Sequence, residues 1–439
     1  MTKPKLRVAF LVNRFPVLSQ TFVINQITGL LDRGYEVDIF TEHLEETRKV
    51  HPDVERYDLL ARTHVMLRVP PNYGVRLIKG MALALKYGRR YPTDMLTSLN
   101  VAKLGIRAAS LWGLYTAVPT FSLPAYDIVH CQFGNLGFRG LLLRDLLRAR
   151  GKPAQLVVMF RGFDISAQLK AQGDQIYNDL FQKADFFLTN CDFFRRRLLS
   201  LGCPADRVSV HYSGLDCNKF TLKARSLPPA AQVRIAATGR LVEKKGLAYS
   251  IRAVAQVARH YPHIRFDIMG DGPLRAELSA LIASLDMTDT IHLLGWQNES
   301  EIIHTLAQAH LFIAPSVTAA DGNQDAPINV LKEAMALGLP VISTDHGGIP
   351  ELVEHDVSGF LVPERDADAI AQALIALIEH PERWPAMGKA GRAYVEAHYE
   401  LDALNDRLVD FYERLVSDLP DDRADNGEVN LLLSAIALP

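Results

Sequence analysis

Leu6-Arg7-Val8-Ala9-Phe10-Leu11-Val12 comes first, then Phe22, Val23, Gln26, Ile27, Leu30 and Leu31 at helical spacing. Gly34 follows, and after it Tyr35-Glu36-Val37-Asp38-Ile39-Phe40. This stretch reads as a buried strand, an amphipathic helix, a glycine stop and a second strand. The same alternation continues outward, with apolar runs at 127–130, 156–160, 186–189 and 208–211 separated by helical patterns. Strands alternating with helices build parallel sheets, whose ligand sites lie at the carboxyl ends of the strands. Residues 219–232 interrupt the pattern with Leu227-Pro228-Pro229-Ala230-Ala231, which cannot continue a sheet and reads as a linker. Alternation then restarts, with strands at 233–237, 265–269, 291–294, 311–314 and 340–343.

The expected fold class is α/β, with two doubly wound Rossmann-like domains facing each other across a cleft. Residues 1–218 form the first domain and 233–398 the second, with the helix at 399–416 packing back on the first. Residues 419–439 read as an acidic tail. A chain of 439 residues suits this division. With 48% hydrophobic and 22% charged residues, wholesale disorder is excluded.

Net charge is only −2, but it is unevenly spread. Residues 1–250 carry 36 Lys and Arg against 20 Asp and Glu, whereas residues 251–439 carry 12 against 30. No global polycation exists, and nucleic acid is not an expected partner. Cys131, Cys191, Cys203 and Cys217 form no CxxC pair and read as reduced thiols of a cytosolic protein. No run reaches the roughly 18 apolar residues of a membrane span. The amino terminus lacks the apolar core of a signal peptide. The expected location is cytoplasmic, with room for peripheral attachment at the inner face of the plasma membrane.

Residues 62–112 motivate that attachment. Arg62, Arg68, Arg76, Lys79, Lys86, Arg89, Arg90, Lys103 and Arg107 face Asp94 alone, interleaved with Leu77, Ile78, Met81, Leu83, Leu85, Leu104 and Trp112. A basic amphipathic insertion suits an anionic membrane surface. An insertion that packs its apolar stripe on its own domain explains the pattern as well.

Sharper signals lie in the second half. Gly239-Arg240-Leu241-Val242-Glu243-Lys244-Lys245-Gly246 follows a strand and opens a helix. There a glycine turn lets backbone approach a ligand, and Arg240 and Lys245 could neutralise a diphosphate. A plain turn with exposed cations reads equally well. Gly270-Asp271-Gly272-Pro273 marks another strand end. In Asp325-Ala326-Pro327-Ile328-Asn329-Val330-Leu331-Lys332-Glu333 the proline suits a first helical turn, which places Asp325 near the cap. Asp325, Asn329 and Glu333 would then share one helix face.

Together with Gly347-Gly348-Ile349-Pro350-Glu351, these motifs resemble, in order, family 4 glycosyltransferases, which are retaining, metal-independent enzymes of the GT-B fold. The resemblance covers nearly the whole chain. Ser19-Gln20-Thr21-Phe22, His130-Cys131-Gln132-Phe133 and Phe160-Arg161-Gly162-Phe163-Asp164 look like members that build exopolysaccharide or colanic-acid-type repeat units. By this resemblance Gly239, Arg240 and Lys245 bind the donor diphosphate, and Asp325 contacts donor sugar hydroxyls. Glu333 holds the ribose, Ala326, Pro327, Ile328, Asn329 and Val330 meet phosphates and sugar, and Trp296 lies on the nucleobase side. Ser19, Gln20, His130 and Asp164 are acceptor-side candidates.

The implied reaction is retaining transfer of a hexose from a nucleotide-diphosphate sugar to a saccharide, with no cofactor or metal; the basic insertion at 62–112 makes a lipid-linked saccharide the expected acceptor. The leaving diphosphate takes the acceptor proton while Arg240 and Lys245 stabilise its charge. Three departures stand out. The first acid is usually Glu rather than Asp325, the next residue commonly Gly rather than Ala326, and a His is common where Arg161 stands. Arg161 stays protonated and could hold a phosphate or an anionic acceptor, oriented by Asp164. Rival readings are a non-catalytic binder of nucleotide sugar or polysaccharide, and an epimerase using His130 and Asp164. The lone DxD, Asp366-Ala367-Asp368, reads as a solvated helix start.

Overall fold

The computed structural model describes residues 5–17, 20–45, 51–227 and 232–417. Ser19, residues 228–231 of the expected linker and the expected tail at 419–439 lie outside the described residues. The first sheet contains β1 (Arg7–Phe15), β2 (Glu36–Leu44), β3 (Thr63–Val65), β4 (Ile128–Cys131), β5 (Gln155–Phe160), β6 (Phe186–Thr189) and β7 (Val208–Val210). The second contains β8 (Val233–Thr238), β9 (Ile264–Met269), β10 (Ile291–Gly295), β11 (Leu311–Ala314), β12 (Val341–Thr344) and β13 (Gly359–Val362). Every pairing is parallel, in the orders β3-β2-β1-β4-β5-β6-β7 and β10-β9-β8-β11-β12-β13.

The unbroken apolar character of β1 follows from burial on both faces. Val8, Phe10 and Val12 point into the cluster under helix Thr21–Asp32, while Ala9 and Leu11 point into the cluster with Val129, Val158 and Phe160. All five of these β1 side chains are fully buried. The sequence pattern misses β3 and β13. Both are short edge strands with partly exposed residues: β3 carries no apolar run, and β13 only the three apolar residues Phe360-Leu361-Val362 after a glycine.

Helix Trp384–Tyr399 stays on the second domain, where Trp384 is fully buried and donates Nε1 to the Leu377 carbonyl at 2.8 Å. The chain then crosses over. Leu215 N donates to Tyr399 O at 2.8 Å, and Leu401 N donates to Leu215 O at 3.0 Å. Helix Leu401–Ser417 packs Leu408 and Tyr412 into the first domain's core beside Val8 and Phe10. Arg33 secures it through Asp406 at 2.7 Å. The four cysteines are buried and unpaired.

Between β3 and β4 lies a helical insertion, Tyr73–Tyr87, Pro92–Ser98, Val101–Leu104, Ile106–Ala109 and Trp112–Ala117. Its inner side packs Leu83, Ala84 and Tyr87 against Met95, Leu114, Phe121, Leu142 and Leu146. Arg150 clamps buried Asp94 through two hydrogen bonds at 2.6 and 2.7 Å. The outer side stays open, with Leu85 84%, Ile106 83%, Leu96 72% and Ile78 66% exposed. Self-packing therefore accounts for one face of the insertion and not the other.

Candidate active site

In each sheet the strand order reverses at one point, β1 against β4 and β8 against β11, and such switch points open crevices at the strands' carboxyl ends. In the second domain β8 leads into Gly239 and Arg240, while β11 leads into the loop that carries Asp325. The β8 turn is backed by the next one. Leu241 N donates to Asp271 O at 3.0 Å, and a Cβ on Gly272 would lie 2.6 Å from the Leu241 carbonyl oxygen. Gly246, at φ +62°, occupies the cap of helix Leu247–Ala258 directly against the Pro315 carbonyl, where any side chain would collide. The Gly-Arg-x4-Lys-Gly turn is thus locked against the loop after β11.

Asp325 is the centre of that lock. Its carboxylate accepts from Lys244 and Lys245 at 2.8 Å each, and from the Ser316 hydroxyl at 2.9 Å. Burial alone would raise its pKa, but the two ammonium groups, Lys245 foremost, override this and hold it well below the usual carboxylate range. Burial also draws the Lys245 ammonium downward, opposed by Asp325 and reinforced by Lys244. A carboxylate offers about four lone-pair sites, so three are occupied and one remains. The Asp325 amide donates to His346 Nε2 at 2.9 Å, and His346 Nδ1 lies 2.6 Å from Glu364. This network assigns the Nδ1-protonated tautomer.

Asp325 is not the helix cap. The helix runs Asn329–Ala336 with Ile328 as its cap, so Asp325, Asn329 and Glu333 do not share one helical face. The His346 contact and the Gly348 amide on Asp325 O at 3.4 Å hold the preceding segment extended. Pro327 also disfavours helical geometry at Ala326. The helix start nevertheless faces the cleft with donors available. Among the described residues, the amides of Ile328, Asn329 and Val330 donate to no backbone or side-chain acceptor. Such a terminus favours anions. The Arg240 side chain is exposed and makes no ion pair or hydrogen bond among the described residues.

Glu333 sits one turn into the helix, and its carboxylate has no hydrogen-bond partner among the described residues. Burial, with help from Glu299, pushes its pKa up to about 7. Glu299 opens the helix that follows β10, just after the loop bearing Trp296, which is 42% exposed. Ala326 and Ile328 are buried, and Ala326 belongs to the first domain's core cluster.

Across the cleft, Arg161 follows β5 and is only 8% exposed. Its guanidinium donates to Ser213 Oγ at 3.0 Å, Gln26 Oε1 at 3.2 Å and Gln132 Oε1 at 2.7 Å, and stacks 4.2 Å from the Phe22 ring centre. Burial draws its pKa down to about 9. Asp164 does not orient the guanidinium as expected. Its carboxylate accepts the backbone amides of Gly134 at 2.8 Å and of Arg161 and Gly162 at 3.0 Å each, which shapes the loop instead. His130 is also corrected. It is fully buried, its Nδ1 contacts the Tyr412 hydroxyl, and burial with Arg161 and His211 keeps it neutral, so it cannot reach an acceptor. These two placements remove the acid–base pair that an epimerase would need. Gln20 caps helix Thr21–Asp32 at the β1 side of the switch point, with no side-chain capping bond.

The domains touch directly. Glu351 accepts the amides of Asp192 at 2.7 Å and Phe193 at 2.6 Å, capping a first-domain helix from the second domain. Gln324 N donates to Ser166 Oγ at 3.3 Å, and Lys332 Nζ donates to Ser213 O at 2.8 Å. Sequence reasoning singled out none of Lys244, Ser316, His346, Glu364 or Lys332. Lys244 and Lys332 lie within the quoted motifs and His346 adjoins one, while Ser316 and Glu364 carry no local signal. Asp366 proves to be a helix cap accepting from Ala369 N at 2.8 Å.

A family profile described as glycosyl transferases group 1 matches residues 218–394, and a glycosyl transferase 4-like domain matches residues 19–214. The amylovoran biosynthesis glycosyltransferase AmsK of Erwinia amylovora is 34% identical over 413 residues, covering 93% of this chain and 100% of the relative. WcaL of Escherichia coli (strain K12), named for colanic acid biosynthesis, is 34% identical over 415 residues with the same coverage. Among solved structures, Anabaena HepE in complex with UDP-glucose superposes with a TM-score of 0.65 at 19% identity, covering 93% of this chain and 100% of that one. Sucrose-phosphate synthase from Thermosynechococcus elongatus gives 0.67 at 19% identity, covering 94% and 100%. The two facing domains are those of the GT-B fold.

Proposed function

The chain belongs to the glycosyltransferases, and from that premise we propose that it transfers a hexose, with retention and without metal, from a nucleotide-diphosphate sugar to a saccharide of an exopolysaccharide or other cell-surface polysaccharide. The observation that carries this reading is the convergence of cations and hydrogen-bond donors at the second switch point. Exposed Arg240, Lys245 and the free amides at Ile328, Asn329 and Val330 suit the diphosphate, and unpartnered Glu333 suits ribose hydroxyls. Asp325 fixes both lysines and keeps one acceptor site for the donor sugar. As the glycosidic bond breaks, charge gathers on the leaving phosphate, where each well-placed donor is worth roughly 3 kcal/mol of transition-state stabilisation. That phosphate receives the acceptor hydroxyl's proton as the new bond forms on the same face. Across the cleft, Gln20, Asp164 through its loop, and Arg161 shape the acceptor floor.

The test is a panel of UDP- and GDP-sugars with EDTA present, scored for donor hydrolysis and transfer. Turnover of one donor that Lys245→Ala and Glu333→Ala each lower at least tenfold supports the reading. Tight donor binding without turnover under any acceptor would refute it.

The acceptor side supports a finer reading: a lipid-linked saccharide met at the cytosolic face of the plasma membrane. Tyr73, Val75, Leu77, Ile78, Met81, Leu85, Leu96, Val101 and Ile106 are exposed on one insertion. Lys79, Lys86, Arg89 and Arg90 stand exposed among them. Apolar residues that insert below the headgroups, ringed by cations, match an anionic bilayer. Flotation with phosphatidylglycerol vesicles at low salt should recover the protein, and the double variant Leu85→Glu/Ile106→Glu should stay with the unbound fraction. Equal flotation of both proteins overturns this reading.

A further inference from the structure

Lys332 is a buried cation to which the catalytic scheme assigns no task. It lies on the helix that carries Glu333, yet it is only 1% exposed. Its Nζ donates to the Ser213 carbonyl of the first domain at 2.8 Å and to Asn329 Oδ1 at 3.1 Å, and it lies 4.7 Å from the Tyr399 ring centre. All three partners are uncharged, an unusual setting for an ammonium group that burial penalises heavily. Ser213 also takes Arg161 on its hydroxyl at 3.0 Å, and Arg161 continues to Gln26 and Gln132. A continuous path therefore runs from the floor of the first domain through Arg161 to the Ser213 hydroxyl, and from the same residue's carbonyl through Lys332 to Asn329. Asn329 is the first residue of the helix whose free amides face the donor. The charged and titratable groups around Lys332 are Glu333 on its own helix, Arg161 and Cys191 from the first domain, and Tyr399 at the end of the second domain's helix Trp384–Tyr399.

We propose that Lys332 is a positioning residue for the transfer reaction, fixing the first turn of the donor helix against the first domain through Asn329 and Ser213. The donor-binding amides and the acceptor floor then stand in one fixed relation, the kind of positioning on which a reaction lacking a protein base depends. A longer hydrophobic side chain could fill the same volume at lower desolvation cost, but it could not hold a carbonyl of one domain and an amide side chain of the other. This inference rests on the proposed glycosyl transfer only for its kinetic consequence.

Two measurements on the full chain test it. The first needs no donor: spin labels placed on the outer surfaces of the two domains report the interdomain distance distribution. Lys332→Met should broaden it toward longer distances, Lys332→Arg should leave it near that of the wild type, and Asn329→Ala should broaden it partially. The second is donor kinetics, in which Lys332→Met should raise the donor KM at least tenfold and lower kcat. Adding Asn329→Ala to Lys332→Met should cause little further loss, because both act through one contact. Should Lys332→Met fold poorly, the Asn329→Ala distance shift decides the question. An unchanged distribution in both variants, with KM within twofold of the wild type, overturns the proposal. Because the distance measurement is independent of turnover, failure of the transferase reading would leave it unaffected.

Discussion

Replacing Asp325 by Asn removes one negative charge and almost no volume. Two ammonium groups, each 2.8 Å from the carboxylate and both largely buried, then lose their counterion. At an effective dielectric of about 20, each contact is worth ~6 kcal/mol of Coulomb energy. Desolvation of the three ions offsets much of that, and breaking a buried pair by removing one partner costs about 3–5 kcal/mol net. For a domain of this size each kcal/mol moves Tm by about 2–4 °C, so Asp325→Asn should melt roughly 6–20 °C lower. Calorimetry at pH 7.5 gives the value. The pH dependence supplies a second signature. Asp325 titrates below its ordinary range in the folded protein, so its contribution is present above the unfolded pKa of 3.8 and disappears as pH falls through the folded value. The difference between the two proteins should therefore persist at neutral pH and shrink in acid. A Tm within 2 °C of the wild type at pH 7.5 would refute the view that Asp325 holds the lysines.

Glu333 and Lys332 give opposite pH limbs. Folded Glu333 titrates at about 7 against an ordinary value of 4.5, so donor-free stability should fall as pH rises from 4.5 through 7. Folded Lys332, drawn from 10.5 to about 7 by burial, contributes stability that is present above 10.5 and lost as pH falls through 7. Denaturation midpoints across pH should show Glu333→Gln flattening the acid limb and Lys332→Met the alkaline one. Gly246→Ala should cost about 3 kcal/mol or more in urea unfolding, since a left-handed residue and a clash with the Pro315 carbonyl coincide there. Tyr412→Phe leaves the buried His130 imidazole without its Nδ1 partner and should cost about 1–3 kcal/mol, with donor binding intact by titration calorimetry.

The two-sheet plan was legible because strands buried on both faces, such as β1 and β5, must be continuously apolar. The partly exposed edge strands were not: β3 has no apolar run, and the three apolar residues of β13 are too few to stand out as a strand. The donor side was legible in its motifs, since turns that approach a ligand need glycine and charge in fixed order. Less legible was how the charges are spent. The sequence shows Asp325 only as a departure from the usual Glu, whereas the folded chain sets that carboxylate between Lys244 and Lys245. Arg161 was noticed as a cation beside the cleft, but its partners Gln26, Gln132 and Ser213 come from three separate segments. Neutral side chains distant in sequence give no local signal of such a meeting. The basic excess of residues 1–250 became informative once the insertion's outer face proved both apolar and cationic.

A crystal structure with a nucleoside diphosphate bound, grown in EDTA, tests the cleft most directly. The expected result has phosphate oxygens within hydrogen-bond distance of the amides of Asn329 and Val330, with Arg240 and Lys245 contacting the diphosphate and the Glu333 carboxylate accepting from the ribose. Phosphates bound elsewhere, or Lys245 remaining wholly on Asp325 while the helix start stays without an anion, would contradict it.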